Sequence, residues 1–243
     1  MESAMANYGV IDLGSNSVRL VIFDVKDGIN KKKPITCKDF RSIINDKVMA
    51  GLSAYVEAGE FTQEGIARAV DVLSGHLKRA RYFNCVRTDI FATAVLRNCT
   101  NSRKAIQAIE EAIGAPVNLL SARDEAHLSF TGASCDRTIE KGTVVDLGGG
   151  STELIRVEEG RDFDDVSIGQ GSLSSYAGYV EFVMPQADEV EAIERAFLDQ
   201  VAKTPVDLKK YRAETLYGVG GSARAAAKLY AQMAGESCRP KTL

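Results

Sequence analysis

Only two of the 243 residues are histidines, His76 and His127, and no apolar run approaches the ~20 residues that a membrane span needs. Two histidines leave almost no raw material for a histidine-based zinc site or a Ser-His-Asp triad. His127 follows Glu125 by two residues and reads as a partly exposed helix histidine. Charge of one sign is also missing. A formal net charge of −3 gives no basic footprint for DNA, RNA or an anionic membrane surface, so a polyanionic ligand must be met by local clusters. Lys31, Lys32 and Lys33, Arg79 and Arg81, and Lys209, Lys210 and Arg212 are such clusters, each of which reads first as a solvated face. The five cysteines (Cys37, Cys85, Cys99, Cys135, Cys238) are odd in number, widely spaced and free of any C-x-x-C pattern, which predicts reduced thiols in a cytoplasmic protein. Met1 to Asn7 carries no basic segment followed by an apolar core, so no leader is expected.

Two stretches read almost alike. They are Tyr8-Gly-Val-Ile-Asp-Leu-Gly-Ser-Asn-Ser17 and Thr143-Val-Val-Asp-Leu-Gly-Gly-Gly-Ser-Thr152. Each is an apolar run rich in β-branched residues, then an acid, then a glycine turn carrying hydroxyls, then a second apolar run, the pattern of a β-hairpin. Glycine allows close approach and positive φ, so successive N–H groups of Gly14, Ser15 and Asn16, and of Gly148, Gly149, Gly150 and Ser151, can point at one anion. Asp12 and Asp146 stand at the mouths of the turns, where a carboxylate is a hard-oxygen ligand for Mg2+, directly or through water. Taken singly, such a turn is usually a plain hairpin. The same acid-turn-hydroxyl order twice, 146 − 12 = 134 residues apart, predicts two similar half-structures that face one phosphorylated ligand.

Between the hairpins the pattern predicts a third strand over Ile35 to Ser42 after a lysine-rich turn, Lys26 to Pro34, and a helix capped by Thr62 and ending near Arg81. A buried strand over Val86 to Phe91, a helix from Ser102 to Ile113 stopped by Gly114, and a short strand over Pro116 to Ser121 follow. Ala122 to Gly132 reads as a helix with Leu128 on its apolar face. The polar connector 134–142 is the expected boundary, giving domains 1–133 and 134–243. Beyond the second hairpin a strand from Val166, a helix over Asp188 to Val201, a strand over Thr215 to Val219 and a helix from Ala223 to Met233 are expected.

Taken together, these residues resemble the exopolyphosphatase/guanosine pentaphosphatase (Ppx/GppA) family of the actin-like, sugar-kinase and Hsp70 superfamily. The resemblance rests on Ile11-Asp-Leu-Gly-Ser-Asn-Ser17, Ala92-Thr-Ala-Val-Leu-Arg97, Leu120-Ser-Ala-Arg-Asp-Glu-Ala126, Val145-Asp-Leu-Gly-Gly-Gly-Ser-Thr-Glu153 and Gly218-Val-Gly-Gly-Ser222, in that order. It implies an α/β fold of two ribonuclease-H-like (actin-like) domains, mixed sheets flanked by helices, and a cleft between them. It also implies magnesium-dependent hydrolysis of a terminal phosphate from inorganic polyphosphate or guanosine pentaphosphate, in a cytoplasmic homodimer. Carried over by position, Glu125 aligns with the catalytic glutamate, Asp146 with the acid of the second phosphate loop and Ser151 with its hydroxyl, while Asn16 and Arg97 match residues lining the phosphate channel. Gly220 and Gly221 belong to a third phosphate-binding turn, whose counterpart in ATP-binding relatives faces a nucleoside.

The physical chemistry of these side chains agrees with that reading. Arginine offers a planar fork of donors for phosphate oxygens, and a carboxylate such as Glu125 can orient and deprotonate an attacking water. Ala122 stands where the family usually has glycine, which predicts strain if that position needs positive φ, and Asp124 replaces a second glutamate. In Ser167-Ile-Gly-Gln-Gly-Ser-Leu-Ser-Ser175 the glycine Gly171 fits the family pattern and its basic residue is missing. The second domain is expected to be shorter than in the family. Polyphosphate is favoured over guanosine pentaphosphate as the substrate, and the alternative from another class is a sensor that binds polyphosphate or guanosine tetraphosphate without hydrolysis.

Overall fold

A computed structural model describes residues 5–26, 36–135 and 138–236. The chain divides into two compact units, Met1–Ser121 and Ala122–Leu243. The division falls ahead of the connector 134–142, so the helix that carries Glu125 goes with the second unit.

In the first unit β1 (Met5–Leu13) and β2 (Ser17–Lys26) form the first hairpin. Val18, Leu20 and Ile22 are buried at every second position of β2, as the period of a strand requires. β3 (Phe40–Met49) pairs antiparallel with β2 and edges the sheet. It starts later than the predicted Ile35 to Ser42 and runs on to Met49, because its mostly polar, exposed residues carry little alternation to read. Most of the predicted turn from Lys26 to Pro34, with Lys31, Lys32, Lys33 and Ile35, lies outside the described residues. A small ribbon of β4 (Val56–Glu57) and β5 (Glu60–Phe61) leads to α1 (Gln63–Tyr82). The Thr62 hydroxyl accepts from the Gly65 amide at 3.1 Å, the predicted N-cap, which contributes about 1 kcal/mol. β6 (Cys85–Ala92) runs parallel to β1, followed by α2 (Ala94–Arg97), α3 (Ser102–Ile113) and β7 (Asn118–Leu119), giving the sheet order β3-β2-β1-β6-β7. Ile66, Ala69, Leu73 and Leu77 of α1 join Ile11, Leu13, Leu20 and Ile22 in one continuous core. Each large side chain buried there stabilises by roughly 1.5–3 kcal/mol.

The second unit opens with α4 (Ala122–Cys135), then β8 (Gly142–Leu147), β9 (Thr152–Glu158) and β10 (Arg161–Ile168) as an antiparallel meander. α5 (Ser172–Tyr179), α6 (Ala187–Lys203), β11 (Leu216–Val219) and α7 (Gly220–Met233) complete it. β11 lies parallel to β8, so the order β10-β9-β8-β11 repeats β3-β2-β1-β6 of the first unit. The register repeats as well: Asp12 faces Arg19 across the first hairpin and Asp146 faces Glu153 across the second. The predicted duplication is therefore a duplication of topology.

Several expectations are corrected. Ala126 and Phe130, not Leu128, form the buried face of α4, and Leu128 is 46% exposed because its helical neighbours at three and four positions are polar or small. The glycine turn before α7 is its first turn, which begins at Gly220 instead of Ala223. Ala122 is not among the residues with positive φ and opens α4 without backbone strain. Cys37 and Cys135 are disulfide-bonded, against the expectation of reduced thiols, while Cys85 and Cys99 are free. Spacing along the chain excludes a C-x-x-C motif and leaves every other disulfide open. Cys238 lies outside the described residues.

Candidate active site

In the first unit the parallel strands β1, β6 and β7 end at the same side of the sheet, and the expected site residues Asp12, Asn16 and Arg97 lie at or follow those ends, the place where ligand sites on parallel sheets generally lie. The turn after β1 is closed by the Gly14 amide, which donates to the Ser17 carbonyl at 3.2 Å. Behind it, the Ser53 amide holds the Ser15 carbonyl at 2.8 Å, and the amides of Ala50 and Gly51 hold the Asn16 carbonyl at 2.9 and 2.8 Å. A trans peptide points its N–H opposite to its carbonyl, so the amides of Asn16 and Ser17 are turned away from this backing segment. Ser15 itself is buried, and Asp12 is exposed beside the turn. Arg97, half-buried at the end of α2, donates from Nη1 to the Leu120 carbonyl at 3.2 Å, and the Leu120 amide in turn bonds the Ala92 carbonyl at 2.9 Å. That anchoring holds the guanidinium at the C-terminal end of β6.

The second unit rebuilds the turn. Gly148 donates to the Ser151 carbonyl at 3.0 Å, the counterpart of the Gly14 bond. Both leading glycines therefore use their N–H groups to close the turn, which leaves the following amides for an anion. Here the backing comes from the start of α5. The Gly148 carbonyl accepts from the Ser172 amide at 2.9 Å and its hydroxyl at 3.1 Å, and the Gly149 carbonyl accepts from the amides of Leu173 and Ser174, both at 2.9 Å. By the same geometry the amides of Gly149 and Gly150 point away from α5, where a phosphate oxygen can reach them. This packing leaves no room at Gly171: a Cβ there would stand 2.6 Å from the Gly148 oxygen and 2.7 Å from the Gly149 carbonyl carbon.

Around this loop the second unit assembles carboxylates. The Ser129 hydroxyl donates to Asp146 Oδ2, and Ser129 lies one helical turn from Glu125 on the same face of α4. Glu153, only 2% exposed, projects from β9 on the face shared by the buried Ile155 and Val157. Burial pushes its carboxyl above the ordinary range and the negative charges of Glu125 and Asp146 push the same way, while the hydroxyls of Ser151 and Ser167 oppose. Ser167 Oγ lies 2.8 Å from Glu153 Oε1. The hydroxyl of Ser151, itself buried, thus serves Glu153. Gly220, at φ +92°, brings the start of α7 against this cluster, where a Cβ would lie 2.9 Å from the Leu147 oxygen and 3.2 Å from Asp146 Oδ1. Gly221 faces open space. The nearby histidine is engaged elsewhere: His127 Nδ1 meets Asp162 Oδ2 at 2.7 Å on the exposed side of α4.

Among the described residues no three His, Cys, Asp or Glu side chains converge to cage a metal ion. Mg2+ needs no such cage, since it keeps several waters and is held by one or two carboxylates together with substrate phosphates. Glu153 thus sits in the negative field of Glu125 and Asp146, with the hydroxyls of Ser151 and Ser167 as its hydrogen-bond donors. Sequence reading assigned no role to Glu153, Ser129 or Ser167. Glu153 was legible in principle, as a carboxylate on the apolar face of a strand, and so was Ser129, at helical spacing from Glu125.

A repeated mixed sheet with a glycine turn after its first strand defines this molecule as a protein of the actin-like α/β fold. Solved structures agree. An exopolyphosphatase from Cytophaga hutchinsonii is similar with a TM-score of 0.78 at 22% identity, over 96% of this chain and 72% of that one. The Aquifex aeolicus PPX-GPPA enzyme is similar with a TM-score of 0.68 at 24% identity, over 94% and 72%. The ethanolamine utilization protein EutJ from Carboxydothermus hydrogenoformans reaches 0.50 at 15% identity, over 97% and 85%. Residues 10–242 match the Ppx/GppA phosphatase family, and the chain belongs to it. Among the described residues no helix is long and apolar enough to cross a membrane.

Proposed function

We propose that this protein is a magnesium-dependent exopolyphosphatase, which releases orthophosphate from the end of inorganic polyphosphate. The observation that carries the reading is the paired turn geometry, Gly14 to Ser17 and Gly148 to Ser151, each with a carboxylate two residues ahead and outward amides behind. Outward amides and the Arg97 fork bind phosphate oxygens without regard to what lies beyond them, as a repeating phosphate chain requires. Glu125 is the general base that orients and deprotonates the attacking water. Ser129 holds the Asp146 carboxylate in one orientation, and Glu153 behind it sets the charge the site must balance. Asp146 is the side chain that would hold Mg2+ in the second unit, with Asp12 the corresponding carboxylate of the first. When bound, the ion supplies neutralisation of charge on the phosphoryl group in transfer.

Family membership and the name of the Cytophaga structure support this substrate class. Guanosine pentaphosphate is the second reading, favoured by the glycine start of α7 packed beside Asp146. A cytoplasmic homodimer is the proposed setting, and its support is the family, since the disulfide-bonded Cys37 and Cys135 remove the argument from thiols. The test is phosphate release from polyphosphate and from guanosine pentaphosphate in parallel, with and without Mg2+, by the unmodified protein and by Glu125→Gln. Release from polyphosphate that needs Mg2+ and is lost in the variant supports the proposal. Release from the nucleotide alone selects the second reading, and binding of both ligands without release by the folded protein replaces hydrolysis with a sensing role.

A further inference from the structure

A cavity of about 450 Å3 lies at the opposite end of β8 from the Asp146 loop, roughly 13 Å along the strand from Gly142 to Asp146. Lys141, Lys210 and Arg212 line it, and these cations make no side-chain hydrogen bond or ion pair with any described residue. Arg156 also lines it but is spent: it donates twice to Glu158 Oε1, at 3.0 and 2.5 Å, and stacks over Phe163 at 4.8 Å. Glu214 is the one carboxylate in the lining without such a partner.

The cations are not on a loose segment. Lys210 and Arg212 flank Tyr211, which is only 5% exposed and whose carbonyl accepts from the Thr143 hydroxyl at 2.8 Å. Four residues on from Tyr211, the Thr215 carbonyl accepts from the Thr143 amide at 3.1 Å. The strip from Lys210 to Thr215 is thereby sewn to the start of β8, which fixes the backbone that carries Lys210 and Arg212 while their side chains, like that of Lys141, stay exposed to an incoming ligand.

From this geometry we infer that the cavity is a second anion site, separate from the phosphate loops, that takes a nucleoside di- or triphosphate. Its volume falls within the range of small-ligand sites. Three cations without a partner among the described residues match a di- or triphosphate group. The unpaired Glu214 repels a bare polyphosphate chain, whereas a nucleotide presents ribose hydroxyls and base amines that donate to a carboxylate. The inference is independent of the hydrolytic reading, because none of these residues belongs to the turns or to α4.

Calorimetric titration of the full protein with GTP, ATP and inorganic triphosphate tests it, in the unmodified chain, in a Lys210→Ala/Arg212→Ala double variant, in Glu214→Gln and in Arg97→Ala. The expected result is saturable nucleotide binding that weakens at least tenfold in the double variant, about the loss of one charge-assisted contact, and changes less than twofold in Arg97→Ala. Glu214→Gln should weaken nucleotide and leave or improve triphosphate. No saturable binding up to millimolar ligand overturns the inference and makes the cations a solvated face. Binding that is lost in Arg97→Ala and kept in the double variant also overturns it, since the ligand then sits at the phosphate turn. In Arg97→Ala, where the phosphate turn is disabled, triphosphate binding as tightly as nucleotide with no effect of adding Glu214→Gln overturns the nucleotide assignment.

Discussion

The two hairpins share register, turn closure and leading carboxylate, yet Asp12 is exposed while Asp146 is half-buried and gripped by Ser129. The position facing the acid differs too. In the first hairpin it is Arg19, whose guanidinium donates to Asn45 at 2.8 Å on the surface; in the second it is Glu153, sealed in the core beside Glu125 and Asp146. The same backbone device thus serves two purposes. The first copy is backed by a large apolar core, and the second gathers charged groups, the ones to which the proposed function gives the chemistry, over a core built from few residues. The geometry is present twice, and single positions such as Arg19 and Glu153 set the two copies apart.

Glu125→Gln should sharpen this contrast most. It is expected to lower kcat for phosphate release by about a hundredfold or more with KM little changed, measured by steady-state kinetics. Arg19→Gln, at the equivalent position of the first hairpin to Glu153, should leave kcat within a few-fold, and a comparable loss there would break the division of labour. Next in size is Gly171→Ala. Its backbone, at φ −129°, is open to any residue, but the added Cβ meets Gly148 and Gly149 at 2.6–2.7 Å. The second loop must then shift, at a cost of about 1–3 kcal/mol in denaturant unfolding and roughly tenfold or more in activity.

A smaller effect is expected for Glu153→Gln. It keeps the shape and the hydrogen bonds while removing a buried charge that burial and two carboxylates disfavour. Stability should rise by about 0.5–2 kcal/mol, seen as a higher Tm, while activity falls, the exchange usual at strained functional sites. A drop in Tm would show that Glu153 is structural.

The smallest effect belongs to the first unit. His76, 1% exposed on α1, lies 3.2 Å by Nε2 from the Val18 carbonyl and 3.3 Å by Nδ1 from Asp46, which also pairs with Arg79. Burial lowers its pKa from the ordinary histidine value of 6.5, and the Val18 bond opposes. The folded state therefore takes up a proton less readily than the unfolded chain, so stability is full above about pH 6.5 and declines as pH falls below it. Tm measured between pH 7.5 and 5.5 should fall by a few degrees, and the slope should flatten in His76→Gln. Among the described residues the second unit has no buried histidine to match it.

Much of this molecule was legible in the chain because the signals were local. The hairpins, the Thr62 cap, the span of α3 with its Gly114 stop and the two acids ahead of the turns follow from periodicity and turn chemistry within a dozen residues. β3 was misplaced because an exposed edge strand needs no alternation, and the face of α4 was misread because a helix with few apolar residues is oriented by what it packs against.

The sequence by itself determined where the backbone turns and which residue types stand at the turns, since glycine, proline, β-branched residues and capping hydroxyls act on their own neighbourhood. Only the tertiary structure decided which carbonyls of the second loop are held by α5, that Glu153 is buried beside Glu125 and Asp146, that Cys37 and Cys135 are disulfide-bonded, and that Lys141 shares a cavity with Lys210 and Arg212. Those are matters of burial and distance between residues far apart in the chain. Desolvation and Coulomb energies depend on that placement, and no local pattern encodes it.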